Sequence, residues 1–139
     1  MKKIIIIIEI ITIIILLTMY KTGETKTQKY YLMTVTAYSN HPTCIADKYN
    51  DGFTATMTPI REGVVAINVD YINGEWVVKS PLKLGDKIYI EGLGNYSVED
   101  TGYFTDEDYK QDFWNVDVYM DDYQEAIKYG RKLKKVYIF

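Results

Sequence analysis

Two aspartates stand where strand-forming residues would be expected to carry none. Asp100 lies inside Tyr-Ser-Val-Glu-Asp-Thr-Gly, beginning at Tyr96, and Asp117 inside Trp-Asn-Val-Asp-Val-Tyr-Met, beginning at Trp114. A carboxylate within a β run is disfavoured on propensity and costs more if buried without a partner. Two of them, each beside valine and aromatic residues, suggest a prepared site. Carboxylates brought together in a partly desolvated site titrate as a unit, and one keeps its proton toward neutral pH, which is what general acid catalysis needs. The residues alone leave a plainer alternative open, in which Asp100 turns with Thr101 and Gly102 and Asp117 sits on a solvated face.

The elements that must position these residues can be read from the pattern. Tyr31 to Tyr38 is β-branched and aromatic and predicts a strand. Asn40 to Gly52 is a loop, with Asn50-Asp51-Gly52 as a tight turn. Val64 to Val69 is a strand, and Asn73-Gly74 marks a hairpin turn toward Trp76–Lys79. Lys87 to Glu91 and Asn95 to Glu99 alternate apolar and polar residues, as a half-buried hairpin does. Asp121 or Asp122 caps a short helix, with Glu125 at capping-box spacing from Asp122 and Gly130 at its end. Val136 to Phe139 closes the chain as a strand. Short strands, one short helix and no βαβ alternation predict an all-β small barrel. Asn68 and Asp70 share a face, because side chains alternate with period two.

These segments, in this order, resemble the three-aspartate (3D) domain, which is similar to the catalytic part of the lytic transglycosylase A family. The resemblance is carried by Thr34-Val35-Thr36-Ala37-Tyr38-Ser39, Arg61-Glu62-Gly63-Val64-Val65-Ala66-Ile67 and Leu84-Gly85-Asp86-Lys87-Ile88-Tyr89-Ile90-Glu91-Gly92-Leu93-Gly94. Val98-Glu99-Asp100-Thr101-Gly102 and Val116-Asp117-Val118-Tyr119 complete it, so that it covers about residues 33–139. It implies a six-stranded double-psi β-barrel and cleavage of the β-1,4 bond between N-acetylmuramic acid and N-acetylglucosamine. By the same resemblance Asp117 is the general acid and base and Asp100 its electrostatic partner. The third aspartate falls on Asp70, since Asn68 stands where many members carry Asp. Thr54, Thr101, Gly102 and Tyr119 are the implied substrate-binding residues, and Trp114 is a further groove candidate. No cofactor and no metal is implied. The partner is the glycan strand of peptidoglycan. A glycan-binding module without catalysis and a membrane-anchored assembly protein are the alternatives.

Residues 1–20 are a different material. After Met1-Lys2-Lys3, the run from Ile4 to Met19 is almost pure Ile and Leu, broken by Glu9, Thr12 and Thr18. It predicts an N-terminal apolar helix, read as a signal anchor that meets the membrane through residues 4–19, or else as a cleaved signal peptide. Residues 21–30 are a polar linker, and 31–139 form the single domain. The domain is then extracytoplasmic, held at the membrane or secreted to the cell wall. From Tyr30 onward the chain keeps 11 of its 16 Lys and Arg and 17 of its 19 Asp and Glu, a balance of about −6. That argues against nucleic acid as a partner and against a wide electrostatic grip on an anionic wall. His41 and Cys44 are the only His and Cys, too few for a metal site. The single cysteine excludes an internal disulfide, so the fold rests on its core. The acidic run from Tyr103 to Asp112 is read as a solvated loop.

Overall fold

The structure is a computed structural model and describes residues 1–21, 28–103 and 114–139, with side chains of the first helix described for residues 4–17. The chain order is helix α1 (Lys2–Lys21), strands β1 (Tyr30–Tyr38), β2 (Val64–Ile72), β3 (Glu75–Val78), β4 (Lys87–Ile90), β5 (Gly94–Gly102) and β6 (Asn115–Tyr119), helix α2 (Tyr123–Tyr129) and strand β7 (Lys132–Ile138). A single turn of 3-10 helix, Asp47–Tyr49, interrupts the loop after β1.

The strands form one mixed sheet in the order β3-β2-β5-β4-β7-β1-β6, and β6 pairs back onto β2. Six strands therefore close into a ring, with β3 appended to β2 outside it. Closure removes the free edges that an open sheet would expose. The pairs β1/β6 and β2/β5 are parallel, and the other pairs are antiparallel.

Alternation decides what fills the ring. Met33 and Val35, Val65 and Ile67, Ile88 and Ile90, Val98, Val116 and Val118, and Val136 point inward from the six strands and form one buried cluster with Leu82. Burying a side chain of this size is worth about 1.5–3 kcal/mol, and β-branched residues fit the pleat, so the same residues that favour strands also close the core. A smaller cluster, Tyr38, Val64, Ala66 and Tyr119, lies on the opposite face of β1, β2 and β6, with Ile45 and Ile60 packed on it from the following loops.

The local signals hold with shifted limits. Asn73 and Gly74 both take positive φ between β2 and β3, as a two-residue hairpin turn requires. Asp122 caps α2 by accepting the Glu125 amide at 2.9 Å. β5 does not stop at Glu99 but runs through Asp100, Thr101 and Gly102, so these residues are strand and not turn. Residues 2–21 are helical, and the side chains of Ile4–Leu17 stay exposed around the helix. Those 14 positions span about 21 Å at 1.5 Å per residue. Among the described residues no helix is long and apolar enough to cross a membrane. The acidic run after Tyr103 and most of the linker lie outside the described residues.

Candidate functional site

Ala66 is paired on both sides. On β6 its partner is Asp117, and on β5 its partner is Asp100. Asp117 is in turn paired with Thr36 of β1. Thr36, Asp117, Ala66 and Asp100 thus form one row across four strands, on the outer face of the ring. Paired residues face the same side, so both carboxylates rise from that face with the smallest chiral side chain between them. Their Cα atoms are two strand spacings apart, about 10 Å.

Asp100 reaches this face because of a bulge. The parallel register runs Val65 with Val98 and then Ala66 with Asp100, so Glu99 is an extra residue on β5. Strict alternation would put Asp100 on the same side as Val98, inside the apolar core. The bulge reverses the parity and turns Asp100 outward, a recurrent use of bulges beside active sites.

The two carboxylates are held differently. Asp100 Oδ2 accepts the Tyr38 hydroxyl at 2.7 Å. Its Oδ1 accepts the backbone N–H groups of Ala55 and Thr101, each at 2.9 Å. Three donors converge on Asp100 and fix the orientation of its carboxylate. Asp117 Oδ1 accepts the Thr36 hydroxyl at 2.8 Å. Tyr38 is buried, and burial together with the charges of Asp100 and Asp117 pushes its hydroxyl far above the ordinary tyrosine value. It therefore keeps its proton and is the donor in its bond to Asp100. Its ring meets Tyr119 edge to face at 5.4 Å.

The loop between β1 and β2 supplies one wall. Phe53 and Pro59 form an isolated antiparallel bridge, and within it Thr54 N–H donates to Thr58 O at 2.8 Å. Thr54 Oγ1 also bonds the hydroxyls of Thr56 and Thr58. Glu99 is buried against this loop. Its carboxylate takes both arms of the Arg61 guanidinium, at 2.8 and 2.9 Å, and the hydroxyl of Thr58. These bonds lower its pKa to about 2, Arg61 contributing most.

The expected site residues separate on this geometry. Asp100 and Asp117 come together, Thr101 meets Asp100 through its backbone N–H while pairing with core-facing Ile67, and Gly102 continues the strand by pairing with Asn68. Asp70 stands four residues beyond Ala66, about 13 Å along β2, and its Oδ1 accepts its neighbour's N–H from Tyr71 at 3.1 Å. Thr54 is buried and spends its hydroxyl inside its own loop. Tyr119 is 5% exposed and packs on Tyr38, so it offers no open ring face. Trp114 is half exposed and meets Tyr31 edge to face at 5.8 Å. Thr34 and Asn115 pair one step along the same face, and Asn115 Oδ1 is buried without a hydrogen-bond partner among the described residues.

Sequence reasoning missed Thr36, Tyr38, Ala66 and the Glu99–Arg61 pair as parts of the site. One signal was present: Tyr96, Val98 and Asp100 share a parity, and a carboxylate is out of place in a core-facing series. Among the described residues no group of three or more His, Cys, Asp or Glu could hold a metal ion. No protein-family model matches the chain, and a search of curated proteins gave no match.

Proposed function

We propose that this chain is a murein-cleaving enzyme of the lytic transglycosylase type, with the six-stranded ring as a double-psi barrel. The row Thr36–Asp117–Ala66–Asp100 carries the reading: two half-buried carboxylates flank Ala66 on the outer face, Asp100 held by three donors and Asp117 bonded by Thr36. The presence of two parallel pairs, β1/β6 and β2/β5, supports the double-psi assignment. Its chemistry needs a single proton carrier. Asp117 protonates the oxygen leaving the muramic anomeric carbon. The carboxylate so formed takes the proton of the muramic C6 hydroxyl as that oxygen bonds the anomeric carbon. The leaving sugar departs with the first proton, and the muramic end closes as a 1,6-anhydro ring. Asp100 stabilises the positive charge that develops on the ring, while Tyr38, Ala55 and Thr101 hold Asp100 in place.

Exposed aromatic side chains suit a neutral sugar surface. Trp76 meets Tyr71 across the β2–β3 hairpin and Tyr103 just after β5, with ring centroids 5.0 and 6.0 Å apart. Contacts of that kind would hold a glycan without the cationic grip that the acidic domain lacks. Helix α1 is read as the anchor or signal that brings the domain to the wall.

The test is the full chain with purified murein. Wild type should solubilise it, and Asp117→Asn should bind it equally while cleaving at least 10²-fold more slowly, since Asn keeps the shape but carries no proton to give. Unchanged cleavage by Asp117→Asn would remove the mechanism. A glycan-binding module without catalysis is the second reading, favoured by Asn68 standing where the resemblance places an aspartate; wild type that binds murein without solubilising it would support that reading.

A further inference from the structure

We infer that Arg61 and Glu99 are positioning residues that lock the bulge on β5 and thereby aim Asp100 at the outer face. The argument starts from the parity of the strand. Val98 lies in the core and Asp100 lies two residues on, so only the extra residue at Glu99 keeps Asp100 out of it. A bulge interrupts the ladder and leaves its extra residue without a cross-strand partner. Something else must therefore hold that residue, or the strand can slip by one and turn Asp100 inward.

Glu99 is held on both its backbone and its side chain. Its carbonyl accepts the Thr56 N–H at 3.0 Å. Its carboxylate accepts the fork of Arg61 and the hydroxyl of Thr58. Arg61 also donates to Pro59 O at 3.0 Å, so one guanidinium ties the bulge to the loop. Two planar groups meeting through two parallel bonds fix orientation as well as distance. The same loop carries Ala55, whose N–H donates to Asp100 Oδ1. The lock thus acts twice on Asp100: it sets the parity of β5, and it holds the loop that supplies a donor. Arg61 and Glu99 both act through Asp100.

This inference rests on the reading of the aspartate row as the site, but its test does not need cleavage. In the full chain, the amide protons of Ala55 and Thr101 are hydrogen-bonded to a carboxylate and should resonate downfield in proton–nitrogen NMR spectra. In Arg61→Gln and Glu99→Gln both signals should move upfield, and both amides should exchange about tenfold faster or more, while the barrel amides of Ile67 and Val118 keep their protection. Arg61→Lys keeps the charge without the fork and should fall between. If Glu99→Gln fails to fold, Thr58→Val removes one hydroxyl from the same carboxylate and should move the same two signals less. Unchanged Ala55 and Thr101 signals in Arg61→Gln, with only a uniform loss of protection across the sheet, would make the pair a plain structural bridge and overturn the inference. If wild type cleaves no murein, the proposed function falls, and these amide signals still decide whether the lock exists.

Discussion

At the scale of single residues, the two aspartates differ in what holds them, and that difference predicts different losses. Asp100→Asn keeps the side chain's size but removes its charge and turns one of its two acceptor oxygens into a donor, leaving one oxygen for the Tyr38 hydroxyl and the Ala55 and Thr101 N–H groups. It should slow murein cleavage less than Asp117→Asn does, and it should also destabilise the fold, because charge-assisted hydrogen bonds are lost. Urea titration of both variants separates the two effects. Tyr38→Phe removes the hydroxyl at 2.7 Å from Asp100 while leaving the ring against Tyr119. A hydrogen bond to a charged group is worth about 1.5–3 kcal/mol, so a loss of that size in urea titration is expected. A stability equal to wild type would show that Tyr38 holds nothing. The aspartates were visible in the sequence because carboxylates are out of place in β runs. Tyr38 was not, since 14 tyrosines in one chain give no reason to single out one.

At the scale of elements, β5 is the strand on which sequence and structure part. Its alternation is plain from Tyr96 to Val98, and the bulge after Val98 is what the pattern does not spell out. A bulge is fixed by what grips the extra residue, and here the grip comes from Thr56, Thr58 and Arg61, distant in sequence. Glu99 gives this grip a pH dependence. Its pKa falls from 4.5 to about 2 on folding, so the folded state binds fewer protons at this residue than the unfolded chain. Its contribution to stability is therefore present above about pH 4.5 and is lost as the pH falls toward 2. Thermal melts of wild type and Glu99→Gln should differ near neutral pH and converge below pH 3. A gap that persists undiminished at pH 2 would contradict the assignment. By contrast the β2–β3 turn and the cap on α2 were legible, because Asn73-Gly74 and Asp122 act on their immediate neighbours.

At the scale of the whole molecule, the strand content and the small barrel were legible, while the order of strands was not. Periodicity shows which side of a strand is apolar and is silent on its neighbour. The pairing of Ala66 with both Asp100 and Asp117 is a property of the closed ring, formed by strands 34 and 51 residues away in sequence. The apolar helix α1 makes its own prediction. The full chain should sediment with membranes and be extracted by detergent; recovery of a shorter chain in the medium would indicate a cleaved signal instead. The central claim concerns the chemistry on the outer face, and one measurement reads it directly: mass spectrometry of the fragments released when the full chain is incubated with purified murein. The account predicts 1,6-anhydromuramic ends, because the C6 hydroxyl attacks in place of water. Reducing ends, or an absence of any released fragment, would contradict it.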